Sequence, residues 1–172
     1  LPTDGAVVVD TGHSALWAGM YLDINKPGQR FIRCAGSLGW AFPASLGVKC
    51  AAPDKPVVCF TGDGGFWYHL TELETALNAG INTVTVVNDN RSFSQTQRGV
   101  QNAFADVGGG EKVWKFTDVD FAGIAQEMGA IGMLVTRPEE LPGAIEAALK
   151  ADRPVVIDAK SDSAALAPPP WS

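Results

Sequence analysis

Short apolar runs alternate with segments of helical periodicity along this chain. Val57-Val58-Cys59-Phe60 is uninterrupted, as is typical of a strand buried on both faces of a parallel sheet. A helix is predicted after it, because apolar residues recur at helical spacing at Phe66, Leu70, Leu73 and Leu77. Gly80 stands where a helix-capping glycine is expected, and Thr83–Val87 predicts the next strand. The segment therefore predicts a strand–helix–strand unit with parallel strands.

The same alternation continues on both sides of this unit. Further strands are predicted at Ala6–Asp10, Phe31–Cys34, Ile131–Val135 and Pro154–Ala159, with helices between them. This order predicts an α/β fold: a three-layer α/β/α domain with a mostly parallel central sheet over residues 1–160. Residues 161–172, which include the run from Pro168 to Trp171, are expected to form an extended tail.

Several local features refine this outline. Thr11 or Ser14 is expected to cap the first helix, and Asp118 or Asp120 a later one. Residues 91–98 have no clean period, so a solvated loop is expected there, and residues 108–110 are three glycines that predict a flexible loop. The three cysteines form no Cys-x-x-Cys pair and are expected to be small core residues.

Composition limits the classes of function. The chain has 172 residues, 46% of them hydrophobic, which suits one compact domain. Its net charge of −6 and scattered Lys and Arg argue against nucleic acid or an anionic membrane as a partner. Without a long apolar run or a signal-like start, a cytoplasmic protein is expected. Because the sequence does not open with Met, a trimmed chain or a part of a longer one is expected.

Polar residues follow the two central strands. Gly62-Asp63-Gly64-Gly65 ends one strand and Asn88-Asp89-Asn90 ends the next, so their side chains are expected at the same sheet edge. Carboxylate and amide oxygens are hard donors that suit Mg²⁺ beside a diphosphate, and glycines let backbone approach an anion. Ordinary turns are the simpler alternative. A dinucleotide fingerprint is disfavoured, because Trp67 stands at the third glycine position.

These residues resemble the motif of thiamin diphosphate-dependent enzymes, in the decarboxylase and acetolactate synthase-like family. The resemblance implies that Mg²⁺ is held by Asp63, Asn90 and the backbone carbonyl of Ser92. The family usually has an Asn pair, and Asp89 replaces its first member here. The ligand is assigned to Asn90 and not to Asn88, because this spacing keeps the helix and strand in register with the family.

Two other segments also resemble this family. Gly12-His13-Ser14 is similar to the segment of acetolactate synthases that holds the terminal phosphate, although a loop histidine is the simpler interpretation of His13. Residues 36–47 resemble a segment of benzoylformate decarboxylase-like proteins, which implies aminopyrimidine contacts and a wedge role for Leu38, with core packing as the alternative. The full set of implied cofactor-binding residues is Gly12, His13, Ser14, Gly36, Ser37, Leu38, Gly62, Asp63, Gly64, Gly65, Asn90, Ser92 and Phe93.

The resemblance also implies what the chain does and what it lacks. It corresponds to the C-terminal diphosphate-binding domain, or a separate small subunit, of an enzyme that decarboxylates or ligates a 2-oxo acid with thiamin diphosphate and Mg²⁺. None of the seven glutamates matches the activating Glu of the family, so no catalytic residue is expected in this chain. That Glu would come from a pyrimidine-binding domain or subunit, in a hetero-oligomer such as a dimer of heterodimers.

The substrate stays open at this point. The Trp and Met that many acetolactate synthases carry near Gly99 and Gln95 are missing, which disfavours acetolactate formation itself. Gln95, Gln97 and Arg98 could instead meet an acidic or polar substrate group. Transketolase-like transfer is disfavoured by the segment at residues 36–47. A non-catalytic cofactor-binding or regulatory subunit is the alternative of a different class.

Overall fold

The computed structural model describes residues 1–168, which form a three-layer α/β/α sandwich around a six-stranded sheet. The strands are β1 Ala6–Val9, β2 Arg30–Arg33, β3 Val57–Gly62, β4 Val84–Asp89, β5 Ile131–Val135 and β6 Val155–Lys160. They lie in the order β2-β1-β3-β4-β6-β5, and every neighbouring pair is parallel. The predicted fold class is therefore confirmed, with an entirely parallel sheet.

Seven α-helices lie within the described residues. They are α1 His13–Tyr21, α2 Ala41–Ala51, α3 Asp63–His69, α4 Glu72–Asn78, α5 Ser94–Ala103, α6 Phe121–Glu127 and α7 Leu141–Ala148, with 3₁₀ turns at Gly110–Val113 and Pro138–Glu140. None of the helices in residues 1–168 is long and apolar enough to cross a membrane.

Alternate residues of the strands fill separate cores on the two faces of the sheet. Val8 of β1 packs into one core with residues of α2, α3, α4 and α6, whereas Val7 and Val9 face α1. On the first face, Phe66 makes edge contacts with Phe42 and Phe121, with ring centroids 5.2 and 5.6 Å apart. Such aromatic pairs add about 0.5–1.5 kcal/mol each beyond area burial. This core fixes α3, and with it the edge of β3, against the sheet.

The predicted helix after β3 is present but begins earlier and is interrupted. It starts at Asp63 and not near Phe66, and it divides into α3 and α4 at Leu70–Thr71. There the N–H groups of Leu73 and Glu74 bond three residues back, as in a 3₁₀ turn. The apolar face continues across the interruption, because Phe66 and Leu73 are buried in the same core. Gly80 ends the segment with φ +64°, as expected of a capping glycine.

The loop predicted for residues 91–98 is wrong from Ser94 onward, where α5 begins. Only Ser94 and Val100 of this helix are buried, and it carries few large apolar side chains. Its first turn is instead tied to the rest of the protein, because the N–H of Phe93 donates to the carbonyl of Trp114 and the N–H of Thr96 to that of Phe93. Tertiary contacts, and not a broad apolar face, therefore stabilise the start of α5.

Helix caps and cysteines give mixed outcomes. Gly12 precedes α1 with φ +86° and no side chain caps the helix, so the caps expected from Thr11 or Ser14 are wrong. Asp120 caps α6, accepting the N–H of Gly123.

Only Cys59 is fully buried; Cys34 is half-buried and Cys50 is exposed, so the expectation of three core cysteines is wrong.

The boundary between domain and tail stays a prediction. Residues 161–168 contain no helix or strand, and the N–H of Ser161 donates to the carbonyl of Asp89, which ties the start of this segment to β4. The remainder of the predicted tail, Pro169 to Ser172, lies outside the described residues.

Candidate functional site

A cleft of about 340 Å³ opens at the carboxyl edge of the sheet, where β1, β2, β3 and β4 end. It is lined by Thr11, Gly12, His13, Ser14, Gly36, Leu38, Gly62, Asp63, Gly64, Gly65, Asn88, Asn90, Ser92, Phe93, Ser94, Gln95 and Thr96. Every implied cofactor-binding residue except Ser37 is therefore brought to one place. A larger cavity of about 500 Å³ lies at the opposite edge of the sheet, and none of those residues lines it.

The carboxylate of Asp63 is buried at the centre of this cleft and is 3% exposed. Its two oxygens accept the N–H groups of Gly64 at 2.8 Å and Ser92 at 2.9 Å. The pKa of Asp63 is raised to about 7, mainly by burial and also by the nearby Asp89, while the two hydrogen bonds act in the opposite direction. No basic side chain in residues 1–168 forms an ion pair with Asp63. The site thus holds a buried acid that a bound cation would stabilise.

Asp63, Asn90 and Ser92 line the same cleft, and Ser92 contacts both of the others. The hydroxyl of Ser92 donates to the amide oxygen of Asn90 at 2.9 Å, while the backbone N–H of the same serine reaches Asp63. The amide nitrogen of Asn90 donates to Ser94. Ser92 therefore bridges the tips of two neighbouring strands and joins the three predicted magnesium ligands.

The turn that carries these residues is held by a short backbone bridge. Arg91 adopts φ +58°, a left-handed conformation that costs energy for a residue with a side chain. The N–H of Phe116 donates to the carbonyl of Arg91 at 2.7 Å, and the N–H of Phe93 to the carbonyl of Trp114 at 2.8 Å. No donor in residues 1–168 reaches the carbonyl oxygen of Ser92 between them. That oxygen remains free to act as a ligand.

Close packing explains two of the glycines that follow β3. A Cβ on Gly64 would lie 2.4 Å from the ring of Phe93, and one on Gly65 would lie 2.8 Å from the hydroxyl of Thr61 and 3.1 Å from Asp10. These glycines let α3 approach the turn after β4 and the tip of β1. Their small size serves the assembly of the cleft, in addition to any approach to an anion.

Asp10 is a structural residue of the site that the sequence pattern did not single out. It is 1% exposed, and its carboxylate accepts the N–H groups of Gly39 at 3.0 Å, Ala41 at 3.3 Å and Thr11 at 2.8 Å. It therefore joins the tip of β1 to the turn before α2, which carries Gly36 and Leu38. Its position at the end of a predicted strand, at the same edge as Asp63, was the available signal.

His13 lies in the cleft with an unused ring nitrogen. Its Nδ1 is buried and has no hydrogen-bond partner in residues 1–168. Burial lowers the pKa of His13, and the positive charge of Arg98 lowers it further. The ring is therefore neutral at pH 7. A buried, unsatisfied polar atom is costly, so this nitrogen suits contact with a ligand.

The residues of the turn after β2 differ in whether they line the cleft. Gly36 has φ +79°, and a Cβ added to it would meet no atom within 4 Å, so it borders open space in the cleft. Leu38 is half-buried and lines the cleft, whereas Ser37 is exposed and does not. Of the residues considered for substrate contact, Gln95 lines the cleft, and Gln97 and Arg98 do not.

The donor set fits a magnesium diphosphate. One carboxylate, one amide and one free carbonyl supply oxygen ligands only, which Mg²⁺ prefers, with phosphate and water completing about six positions. Residues 1–168 contain no group of three or more His, Cys, Asp or Glu side chains that would indicate a zinc or iron site. Two features within residues 1–168 would be satisfied by such a ligand: the buried Asp63, which has no basic partner there, and the His13 nitrogen, which has no hydrogen-bond partner there.

Comparison with known proteins identifies the family. Residues 10–159 match the family described as "Thiamine pyrophosphate enzyme, C-terminal TPP binding domain". The chain belongs to this family, which confirms the resemblance seen in its motifs. Acetolactate synthase isozyme 3 large subunit of Escherichia coli is 30% identical over 164 residues, which cover 92% of this chain. Sulfoacetaldehyde acetyltransferase of Castellaniella defragrans is 32% identical over 154 residues, 88% of this chain.

A solved structure agrees with this assignment. The thiamine diphosphate-dependent 4-hydroxybenzoylformate decarboxylase of Rhodococcus jostii RHA1 superposes with a TM-score of 0.79 over 94% of this chain, at 26% identity. The chain spans 30% of that protein, and 28% and 25% of the two relatives above. It thus corresponds to the TPP-binding C-terminal portion of such enzymes.

Proposed function

We propose that this chain is the diphosphate- and magnesium-binding half of a thiamin diphosphate-dependent enzyme that decarboxylates or ligates a 2-oxo acid. The observation that carries the proposal is the cleft that joins Asp63, Asn90 and Ser92 to His13 and Gly36. The proposal includes both decarboxylation and ligation, because the relatives are named as a synthase, an acetyltransferase and a decarboxylase. The expected cytoplasmic location remains a prediction.

The residues of the cleft divide into two roles. Asp63, Asn90 and the Ser92 carbonyl would hold Mg²⁺, and the ion would offset much of the negative charge of the buried carboxylate and the diphosphate. Gly12, His13 and Ser14 would contact the diphosphate, since Nδ1 of His13 is unpartnered within residues 1–168. Together, these residues would bind the metal and the diphosphate and orient the cofactor.

The turn after β2 would support the rest of the cofactor. Gly36 leaves open space at the cleft and Leu38 presents an apolar surface there, with Asp10 fixing the turn behind them. Thiamin diphosphate, when bound, supplies the electron sink on which a 2-oxo acid loses carbon dioxide. The residues of this chain would hold the cofactor in position and help to balance its charge.

A partner domain is part of the proposal. All seven glutamates lie within residues 1–168, and none lines the cleft. The activating carboxylic acid must then come from elsewhere, either a pyrimidine-binding domain or a separate subunit. The chain would be inactive alone and active in a hetero-oligomer or as part of a longer protein.

Cofactor binding is the first test. Protein treated with EDTA should bind thiamin diphosphate in a titration calorimeter only when Mg²⁺ is restored. Asp63→Ala should abolish this binding, whereas Asp106→Ala, which removes an exposed carboxylate outside the cleft, should not alter it. Binding that ignores Mg²⁺ or survives Asp63→Ala contradicts the proposed site.

Turnover is the second test. Carbon dioxide release from a panel of 2-oxo acids should require both this chain and a pyrimidine-binding partner. Full activity of this chain alone refutes the shared site. If Asp63→Ala leaves the activity of the assembled protein intact, the chain acts as a non-catalytic or regulatory subunit instead.

A further inference from the structure

Lys160 and Asp89 form an ion pair directly behind the candidate magnesium site. They are the last residues of β6 and β4 and lie opposite each other in the parallel register. The ammonium is 2.6 Å from one oxygen of Asp89 and 3.1 Å from Asp158, and it donates to the carbonyl of Val119 at 2.6 Å. Asp89 is 1% exposed and Asp158 is fully buried, so Lys160 is the cation for two buried carboxylates.

The other oxygen of Asp89 holds the turn that follows. It accepts the N–H of Arg91 at 3.1 Å, the residue whose left-handed backbone lets the chain reverse. The next N–H along the chain, that of Ser92, donates to Asp63. Asp89 therefore fixes the geometry of the segment on which Asn90 and the Ser92 carbonyl are carried.

Asp89 can do this as a buried carboxylate only while its charge is balanced. Removing one partner of a buried ion pair leaves an uncompensated charge, which proteins relieve by rearranging or by admitting water. Asp118 also approaches Lys160, at 3.3 Å, but it is 66% exposed and so contributes little.

We propose that Lys160 is a positioning residue of the magnesium site, acting through Asp89 on the turn that carries Asn90 and Ser92. It does not line the cleft, so its role would be to position the ligand residues and not to bind the ion itself. The inference rests on the proposed function, because it concerns the same site. It adds a residue on β6 to a site otherwise built from residues that follow β1 to β4.

The test is the Mg²⁺ dissociation constant of the assembled protein in the presence of thiamin diphosphate, measured by titration calorimetry. Lys160→Met removes the charge and keeps most of the stem, and we expect it to weaken Mg²⁺ binding about 10- to 100-fold, as outer-shell partners of metals do. Lys160→Arg keeps the charge and should stay close to wild type. The matched control, Lys150→Met, removes an exposed lysine and should change nothing.

A compensating variant shows whether the effect passes through Asp89. Asp89→Asn makes residue 89 neutral while its amide oxygen can still accept the N–H of Arg91, so Lys160 is no longer needed there. Both variants carry Asp158→Asn as well, because Asp158 is the second buried partner of Lys160. In that background Asp89→Asn/Lys160→Met should bind Mg²⁺ as Asp89→Asn does. Amide hydrogen exchange over residues 89–94, measured without cofactor, should be faster in Lys160→Met than in wild type and should slow again in the variant that combines all three substitutions.

The outcomes separate the two proposals. Wild type that shows no Mg²⁺-dependent cofactor binding refutes the proposed function. If wild type shows Mg²⁺-dependent cofactor binding and a folded Lys160→Met binds Mg²⁺ equally well, only the role of Lys160 is refuted. If Lys160→Met does not fold, the comparison of Asp89→Asn/Asp158→Asn with and without Lys160→Met decides: a tenfold or greater loss caused by Lys160→Met in that background overturns the role through Asp89.

Discussion

Asp63→Asn tests the charge at the centre of the cleft. The substitution keeps the shape of the side chain and removes an ionisable group that is 3% exposed. Burial, with Asp89 nearby, raises the pKa of Asp63 from 3.8 to about 7. Ionising this acid therefore destabilises the metal-free protein, and the Asn variant avoids that loss.

The sign and size of this pH-dependent loss of stability follow from the linkage between proton binding and folding. The pKa of Asp63 is higher in the folded protein than in the unfolded chain, so the unfolded chain gives up this proton at lower pH. The folded state consequently loses stability as pH rises from about 4 to about 7. At about 1.36 kcal/mol per pKa unit, the loss between pH 5 and pH 8 is roughly 2–3 kcal/mol.

Denaturant unfolding in EDTA at pH 5, 6, 7 and 8 measures this difference. The free energy of unfolding of Asp63→Asn relative to wild type should rise by roughly 2–3 kcal/mol across that range. The control Asp106→Asn should follow wild type at every pH. Adding Mg²⁺ with thiamin diphosphate should then stabilise wild type and not Asp63→Asn. Parallel curves for wild type and Asp63→Asn, without metal, would refute a charge penalty at Asp63.

Three further substitutions test the construction of the cleft. Gly64→Ala should destabilise the protein by about 1–3 kcal/mol, because its Cβ would meet the ring of Phe93, whereas Gly143→Ala on α7 has open space and should be neutral or slightly stabilising by thermal unfolding. Asp10→Ala leaves buried N–H groups without an acceptor and should cost about 1–3 kcal/mol or more per group; an unchanged melting temperature contradicts the bonds described. His13→Ala should weaken cofactor binding in calorimetry while changing stability by less than about 1 kcal/mol, since Nδ1 has no partner within residues 1–168; a large loss of stability argues for a packing role alone.

Much of the fold could be predicted because its strands are short apolar runs with clear ends. Ile131–Val135 was predicted with the bounds the structure has, and the placement of Asp63 and Asn90 in one cleft followed from the shared edge of parallel strands. Helix α5 was not predicted. Its residues are mostly polar, and contacts with a distant segment at Trp114 anchor its start.

The supporting residues of the site were harder to foresee for a related reason. Asp10 and Lys160 stand at strand ends, where polar residues are common in ordinary turns. Only the three-dimensional pairing shows that Asp10 holds the turn after β2 and that Lys160 balances Asp89. Residue type and spacing identified candidate ligands, whereas the residues that position them depend on tertiary contacts.

A crystal structure of the protein with thiamin diphosphate and Mg²⁺ would locate the ion and its ligands. We expect one ion in the cleft with oxygens of Asp63, Asn90 and the Ser92 backbone about 2.1 Å from it, and phosphate oxygens among its remaining ligands. An ion bound elsewhere, or a cofactor seated with Asp63 and Asn90 turned away from its diphosphate, would contradict the proposed site.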